Sequence, residues 1–365
     1  MRDDHRNSLA EIEEKILSVR RIERDEALLL YEEGSFLFLC SLADEVRKRK
    51  HPDRVVTYII DRNINYSNIC ISGCSFCAFY RKASDPDSYL LAFEEIKRKI
   101  GETLSLNGVQ ILMQGGLHPY LQIGFYEELL RNIKAEFDIH VHAFSPPEII
   151  HIASISALPI SETIRRLREA GLDSIPGGGA EILSDRTRKI LSPNKCSVAE
   201  WLEVMEEAHR QGMKTTATMM FGHIETTEER INHLLLVREL QDKTGGFTAF
   251  IPWTFQPGNT RLGGKEAMPH EYLKMLAISR IVLDNIRNIQ VSWVTQGDKV
   301  AQLALRCGAN DFGSTMIEEN VVRAAGVSFQ LSEEEIVRNI QEAGFIPMRR
   351  NMFYERLGQA ESMIY

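Results

Sequence analysis

Short apolar runs alternate with longer segments of helical periodicity along most of this chain. Such alternation is typical of a mostly parallel sheet whose strands are connected by helices. Eight runs are candidate strands: residues 55–60, 108–113, 139–144, 172–176, 214–220, 247–252, 290–295 and 310–315. Eight strand–helix units predict an α/β fold, a (β/α)8 barrel of the TIM type. A doubly wound open sheet is the alternative.

Capping patterns mark where several helices begin. Pairs with capping-box spacing are Ser8 with Glu11, Ser197 with Glu200, Thr226 with Glu229, and Ser332 with Glu335. Another helix is predicted between Ser161 and Gly171, because glycine commonly ends helices. We therefore expect an N-terminal helical extension at 1–50, a barrel at 51–330, and a C-terminal helical extension packed on the barrel at 331–365.

Composition narrows the classes of partner. The 365 residues carry 43 Lys and Arg against 51 Asp and Glu, a net charge of −8, with no basic tract. This balance argues against nucleic acid and anionic membranes as partners, and leaves a small-molecule substrate. The charged N-terminus lacks an apolar signal core, and no apolar run approaches the length of a membrane span. We expect a cytoplasmic protein.

The most informative chemical feature is the spacing C-x3-C-x2-C formed by Cys70, Cys74 and Cys77. Thiolates this close in sequence can ligate one iron–sulfur cluster. No other Cys or His is close in sequence, so a four-iron cluster held here would keep one iron open to a small molecule. An open coordination position is typical of catalytic metal sites.

Other interpretations of the cysteines are weaker. A buried helical stripe is interrupted by Gly73, and structural zinc normally has four protein ligands. A non-catalytic iron–sulfur carrier usually closes its cluster with a fourth cysteine. Six cysteines in 365 residues do not suggest a disulfide framework. Cys40, Cys196 and Cys307 are expected to be core or surface thiols.

Polar and glycine-rich motifs follow the candidate strands, where barrel enzymes place their active sites. The candidate residues at these strand ends are Arg62, Asn63, Gln114, Gly115, Gly116, Ser145, Glu181, His223, Glu225, Thr295, Gln296, Asn310 and Asp311. Gly115 and Gly116 directly follow a strand, and glycine lets a ligand approach the backbone closely. Each histidine could equally be structural.

The cysteine motif, followed by Ala78-Phe79-Tyr80, resembles the radical S-adenosylmethionine (SAM) superfamily. The segments RNINYSNICISGCSFCAFYR, ILMQGGLHP, HAFSPPEI, AGLDSIPGGGAEIL, TTATMMFGHIET, TGGFTAFIPWTFQP and SWVTQG carry the likeness further. They are similar to a group that contains cyclic dehypoxanthine futalosine synthase, aminofutalosine synthase and the tyrosine-using part of the deazaflavin-precursor (FO) synthase. The last two segments most resemble the first of these, an enzyme type of menaquinone biosynthesis.

The resemblance implies a [4Fe–4S] cluster held by the three cysteines, with SAM on the open iron. It implies that Phe76 lies beside the adenine and that Gln114, Gly115, Gly116 and Ser145 belong to the SAM site. Glu181, which follows three glycines, is the candidate to hold the ribose hydroxyls. Arg188 is either a partner of the SAM carboxylate or an exposed helix arginine. An external one-electron donor such as flavodoxin or ferredoxin is also implied.

The reaction implied is cyclisation of dehypoxanthine futalosine, by abstraction of the C4′ hydrogen and addition of the radical to the benzoate ring. The substrate carboxylate would need a cation, for which Arg62 and Arg81 are candidates. Loss of the ring proton would need a base. Candidate bases are His223, Glu225 and Asp311, and candidate sugar-binding residues are Asn63, Thr295, Gln296 and Asn310.

Overall fold

The structure is a computed structural model that describes residues 2–358. Met1 and residues 359–365, the outer ends of the two predicted extensions, lie outside the described residues. The helices are α1 Arg2–Leu17, α2 Arg24–Glu33, α3 Phe36–Lys50, α4 Phe93–Ser105, α5 Ile123–Glu136, α6 Pro146–Ile155, α7 Ile160–Ala170, α8 Asp185–Leu191, α9 Val198–Arg210, α10 Thr227–Thr244, α11 Pro269–Val282, α12 Trp293–Gln296, α13 Asp298–Ala304, α14 Val321–Ala324 and α15 Glu333–Glu342.

The strands are β1 Val55–Ile59, β2 Asp61–Ile64, β3 Gln110–Met113, β4 His140–Ala143, β5 Ser174–Ile175, β6 Lys214–Phe221, β7 Phe247–Thr254, β8 Asn288–Ile289, β9 Asp311–Ser314 and β10 Ile346–Arg349. Strands β2 to β8 form one parallel sheet in sequence order. Strands β10, β1 and β9 form a second parallel sheet in that spatial order.

The two sheets join into a barrel at two places. At one, β1 continues into β2 through Ile60, whose carbonyl accepts from Val109 N at 3.1 Å. At the other, a parallel bridge between Gln290 and Asp311 connects β8 to β9. The predicted TIM-type α/β fold is therefore confirmed, and strands β2 to β9 follow one another around the barrel in the order of the sequence.

Strands β2 and β10 were not predicted, because the sequence of each departs from the usual pattern of a strand. Strand β2 has the polar sequence Asp-Arg-Asn-Ile, yet all four residues are buried. Strand β10 contains Pro347 and pairs with β1 alone, as expected of proline at a sheet edge. The predicted strand at 290–295 is wrong: β8 already ends at Ile289, Gln290 makes an isolated bridge to Asp311, and Trp293–Gln296 form α12.

The capping predictions are mostly confirmed. Ser197, Thr226 and Ser332 each cap a helix through a capping box, and Gly171 ends α7. Ser8 does not begin a helix, because α1 already starts at Arg2. Helix α7 likewise begins at Ile160, one residue before the predicted start.

The first three helices pack on the outside of the barrel. Buried Leu39 and Ala43 of α3 and buried Leu276 of α11 belong to the hydrophobic core that these helices share with the strands. Cys40 of α3 forms a disulfide with Cys307, which corrects the expectation that both are free thiols. None of the helices within residues 2–358 is long and apolar enough to cross a membrane.

Candidate active site

The segment from Cys70 to Cys77, here called the cysteine loop, follows β2 and lies across the carboxyl ends of the neighbouring strands. All three of its cysteines are free of disulfide bonds. Ile71 N donates to Leu117 O at 3.0 Å, and Ser75 N donates to Leu191 O at 2.8 Å. Gly73 adopts φ +59°, a conformation that favours glycine. The loop is thus fixed from two sides by backbone hydrogen bonds.

Arg81 fixes the end of the loop. Its Nη1 donates to the carbonyl oxygens of Ala78, Phe79 and Tyr80 at 3.2, 3.2 and 2.9 Å, while its Nε bonds to Asp87 at 2.6 Å. A guanidinium whose donors serve the backbone in this way holds the loop in shape. This position does not support the expected role of Arg81 as the cation for a substrate carboxylate.

Hydrogen-bond donors surround the sulfur atoms. The backbone N–H groups of Ser72 and Leu117 donate to Cys70 Sγ at 3.4 and 3.3 Å, and Ser72 Oγ lies 3.0 Å from Cys74 Sγ. Burial raises the pKa of the Cys70 and Cys77 thiols. Across the described side chains, no group of three or more His, Cys, Asp or Glu residues is already arranged to hold a metal ion.

Gly115 and Gly116 let the cysteine loop lie directly on the end of β3. A Cβ at Gly116 would fall 2.7 Å from both Cys70 Cβ and Ile69 O, and one at Gly115 would overlap the Tyr66 ring. Side chains here would push the loop away from the strand. The glycines are therefore required by this close packing, in addition to any ligand.

Glu148 joins three strand ends below the loop. Its Oε1 accepts from Tyr66 Oη and Gly115 N, both at 3.0 Å, and its Oε2 accepts from Ser145 N at 2.8 Å and Ser145 Oγ at 2.7 Å. Burial raises the pKa of Glu148. Ser145, predicted in the SAM site, thus caps α6 and sits beside Gly115 through a shared carboxylate.

Glu181 follows β5 in a strained conformation with φ +40° and is 7% exposed. Its Oε1 pairs with Lys195 Nζ at 2.8 Å, and its Oε2 has no hydrogen-bond partner among the described residues. A buried carboxylate oxygen without a donor is costly. It is available to accept from the hydroxyl group of a ligand.

Lys195 was missed from the sequence because no periodicity or motif distinguishes it. Its Nζ lies 5.3 Å from the centre of the Phe76 ring. Burial by itself would lower the pKa of Lys195, but the charges of Cys74 and Glu181 raise it above its usual range. A permanent cation therefore connects the cysteine loop to Glu181.

Arg188 lies beside Glu181, with Nη1 3.9 Å from its Oε2. However, Arg188 donates to the carbonyl oxygens of Gly179, Ala180 and Cys196 at 3.0, 2.8 and 2.8 Å. These bonds shape the backbone that presents Glu181. They leave the predicted contact between Arg188 and a SAM carboxylate without geometric support.

A cavity of about 290 Å³ occupies the barrel interior. Its walls include the predicted residues Asn63, Gln114 and Thr295. Three buried polar atoms at this cavity have no partner in the described part of the chain: Asn63 Oδ1, Gln110 Oε1 and Tyr354 Oη. Since buried polar groups are normally satisfied, these atoms indicate a polar ligand.

Asp61 is a second functional candidate that the sequence pattern does not indicate, because the polar residues of β2 lack the apolar run of a strand. It lines the cavity, accepts from Gln110 Nε2 at 2.8 Å, and is hydrogen-bonded by Ser314 Oγ. Burial raises the pKa of Asp61, although both hydrogen bonds lower it. Strand alternation would have placed Asp61 and Asn63 on one face, had β2 been recognised.

The same alternation directs Arg62 away from the cavity. Its Nη1 bonds to Glu102 Oε2 at 2.8 Å and Lys99 O at 3.1 Å on α4. Arg62 therefore does not line the described cavity, and its expected role at a substrate carboxylate is not supported.

The three predicted bases are all committed to other groups. Burial by itself would raise the pKa of Glu225. Hydrogen bonds and charges from His223 and Arg230 lower this pKa to about 2. Both side chains of the His223–Glu225 pair are fully buried, and His223 Nε2 lies 3.1 Å from Met220 O. Asp311 accepts from Arg350 at 2.5 and 2.9 Å and from Thr57 at 2.5 Å. None of the three lines the cavity.

Two predicted sugar-binding residues also lie outside the cavity lining. Asn310 Oδ1 accepts from Arg280 Nη2 at 2.6 Å and Ile289 N at 3.0 Å, so that it closes the opposite end of the barrel. Gln296 Nε2 donates to Thr254 Oγ1 at 2.6 Å and holds α12 against β7. The strand-end rule therefore does not hold for these two residues, since Asn310 precedes β9 at its amino end and Gln296 lies on α12.

Comparison with protein families gives two matches that together cover most of the chain. The radical SAM superfamily matches residues 64–237, and the CofH/MqnC C-terminal region matches residues 244–363. The first region contains the cysteine loop and Glu181. The second contains Thr295, Asp311 and Tyr354.

Curated relatives are similar over almost their full length. A cyclic dehypoxanthine futalosine synthase of Halalkalibacterium halodurans is 47% identical over 350 residues, which cover 95% of each chain. One of Streptomyces coelicolor is 46% identical, covering 92% of this chain and 86% of the relative. A 5-amino-6-(D-ribitylamino)uracil–L-tyrosine 4-hydroxyphenyl transferase of Methanosarcina mazei is 45% identical, covering 93% and 92%.

Solved structures agree on the fold. The FeFe-hydrogenase maturase HydG from Carboxydothermus hydrogenoformans superposes with a TM-score of 0.75 at 17% identity, over 96% of this chain and 82% of that one. Methylornithine synthase gives 0.68 at 21% identity, over 93% and 97%. The family matches and the curated relatives identify the chain as an enzyme that belongs to the radical SAM superfamily, whose members use a [4Fe–4S] cluster and SAM.

Proposed function

We propose that this enzyme cyclises dehypoxanthine futalosine to cyclic dehypoxanthine futalosine in menaquinone biosynthesis. The observation that carries the proposal is the barrel cavity, whose lining combines buried oxygen atoms without partners with the carboxylate of Asp61. The other carboxylate in this lining, Glu319, accepts from the backbone N–H groups of Val321 and Val322. A ribose offers the hydroxyl donors that these oxygens need, and a cyclisation that restores an aromatic ring needs a proton acceptor. The two most similar curated relatives named above carry this activity in their names.

The cysteine loop suits a cluster with one open iron. It offers three unpaired thiols, backbone donors to sulfur, and the neighbouring cation Lys195. We propose that Cys70, Cys74 and Cys77 ligate the cluster and that their side chains rotate to converge on it. When bound, the cluster and SAM supply a primary carbon radical. Its electron is proposed to come from an external carrier such as flavodoxin or ferredoxin.

Residues around Glu181 would hold SAM. Glu181 Oε2 would accept from a ribose hydroxyl, and Phe76 under Lys195 offers an aromatic face to the adenine. Gln114, Gly115 and Gly116 present backbone groups at the end of β3. The same arrangement keeps the radical near the cavity, where orientation of the target C–H bond and exclusion of water decide which bond reacts.

Asn63, Gln110 and Asp61 would orient the substrate and remove its proton. Asn63 Oδ1 and Gln110 Oε1, which have no partner among the described residues, would accept from sugar hydroxyls. Gln110 Nε2 donates to the Asp61 carboxylate at 2.8 Å and thereby orients it. After ring closure, Asp61 takes the proton from the ring carbon. The C–H electron pair stays on the ring as a radical anion, which passes one electron to a one-electron acceptor of the iron–sulfur or flavin type.

The proposal is tested with anaerobically reconstituted protein, dehypoxanthine futalosine, SAM and dithionite. We expect 5′-deoxyadenosine together with a product two hydrogens lighter than the substrate. Formation of 5′-deoxyadenosine without that product would rule out this substrate but keep the superfamily assignment.

A second substrate class is favoured by the relative from Methanosarcina mazei, which is almost as similar over the same span. Its name describes transfer of the hydroxyphenyl group of tyrosine to a ribitylaminouracil. Incubation with these two compounds, in parallel with the first assay, separates the candidates by product mass. Aminofutalosine formation is tested in the same way with its own substrates.

The role of Asp61 is tested by Asp61→Asn. We expect 5′-deoxyadenosine to form at near the normal rate, while cyclised product falls by about 10²-fold, the lower range for loss of a general base. Asp284→Asn removes a carboxylate that pairs with Arg21 on the outer surface and serves as the control. Unchanged product formation in Asp61→Asn would exclude this base.

A further inference from the structure

A wide groove runs along the outer face of the cysteine loop. It has a volume of about 870 Å³, and its lining includes Cys70, Ile71, Lys82, Tyr120, Ile190 and Arg261. It is separate from the barrel cavity, since the two share no lining residue. The groove therefore gives solvent, or a partner, an approach to the loop that does not pass through the barrel cavity.

Large apolar side chains in this groove are exposed. Ile71 is 53% exposed, Tyr120 77% and Ile190 55%, although they come from three different segments of the chain. A cluster of exposed apolar residues that share one groove is typical of an interaction surface. Exposure of these apolar side chains to water is unfavourable, and a bound protein partner would bury them.

The charge of the groove is opposite to that of the whole chain. Lys82 and Arg261 line it, and no carboxylate is among the described lining residues. Nearby Asp85 and Asp87 are engaged by Lys82 N at 2.7 Å and Arg81 Nε at 2.6 Å. The net charge of −8 on the whole chain would repel an acidic protein from most of the surface. The two cations of the groove would attract it at this place.

We infer that this groove is the docking site of a small acidic one-electron carrier protein, of the flavodoxin or ferredoxin class. The inference rests on the proposed ligation of the cluster by the cysteine loop, since Cys70 lies in the loop and also lines the groove. A carrier seated here would be separated from the cluster by one layer of loop residues. The apolar cluster would supply contact area, and Lys82 with Arg261 would steer the encounter.

The test uses the double variant Lys82→Glu/Ile190→Asp in the full chain. Neither side chain belongs to the proposed machinery, and Arg261 is kept because it donates to Gly73 O and lies over the Tyr80 ring. The control is Lys299→Glu, a charge reversal at a side chain that is 71% exposed on α13. Formation of 5′-deoxyadenosine is measured with dithionite, and separately with flavodoxin kept reduced by its reductase. Binding of oxidised flavodoxin is measured without turnover.

We expect the double variant to match the wild-type protein with dithionite, and to need roughly tenfold more flavodoxin for half-maximal rate and for binding. The wild-type requirement should rise with salt, and the control should be unaffected. Equal loss with both reductants would overturn docking, and so would normal flavodoxin binding by the variant. A change of oligomeric state in the variant would assign the groove to a second copy of this chain instead. If wild-type protein makes no 5′-deoxyadenosine with dithionite, the proposed function fails, and the binding measurement still decides the docking site.

Discussion

The loops after β5 and β6 each present a carboxylate close to a strand end, and they differ in how completely that carboxylate is satisfied. Glu225 accepts from Gly222 N at 2.6 Å, His223 N at 2.9 Å and Arg230 Nε at 2.7 Å. Glu181 has Lys195 on one oxygen and no hydrogen-bond donor on the other among residues 2–358. A fully bonded carboxylate stabilises its loop, whereas a partly bonded and strained one is suited to a ligand.

Among the variants that test this difference between Glu225 and Glu181, Glu225→Gln is expected to have the largest effect. The amide would face Arg230 and two backbone N–H groups without a charge, so the free energy of unfolding should fall by about 3 kcal/mol. Cyclised product per folded molecule should change less than twofold. Denaturant unfolding and a turnover assay on the same sample check both. A large loss of turnover in stable protein would return Glu225 to the list of bases.

The lowered pKa of Glu225 also predicts how the stability of the protein depends on pH. The pKa of Glu225 is about 2 in the folded chain, below its ordinary 4.5. Its contribution is therefore fully present above about pH 4.5 and is lost as the pH falls towards 2. Unfolding curves between pH 6 and pH 3 should converge for wild-type protein and Glu225→Gln. A constant difference across this range would contradict the proposed cause.

Glu181→Gln should show the opposite behaviour. Loss of the charge that faces Lys195 should weaken SAM binding by about 2 kcal/mol, or roughly 30-fold, as for a hydrogen bond to a charged group. Stability should fall less than in Glu225→Gln, because the amide oxygen still accepts from Lys195 and the lost second oxygen had no hydrogen-bond donor. Equilibrium binding of SAM to the reconstituted protein, with thermal unfolding as the control, measures both. Unfolding of the variant without a binding defect would make Glu181 structural.

Arg62→Met is the smallest expected effect. Arg62 is paired with Glu102 on α4, whose side chain is 43% exposed, so the stability should fall by about 1 kcal/mol at most. Product formation should be unchanged, because Arg62 does not line the described cavity. A raised KM for the substrate would show that this arginine reaches the carboxylate after all.

Sequence reasoning succeeded where the signal is local. Capping boxes at Ser197, Thr226 and Ser332 depend on residues three apart, and the cysteine spacing lies within eight residues. Directions of side chains were harder to predict. Asp61 was missed because a polar strand inside a barrel lacks the apolar pattern of a strand, and Lys195 because its partners Glu181 and Cys74 come from distant segments.

Strand β1 is completed only by the last part of the described chain. Its neighbours β9 and β10 lie more than 250 residues later in sequence, and β10 is followed by Met352 and Tyr354, which form the cavity floor. During synthesis, the enzyme must keep the edge of β1 unpaired until nearly all of the protein has left the ribosome. Such late closure slows folding and exposes an aggregation-prone edge. Nascent chains stalled before residue 345 should therefore depend on chaperones.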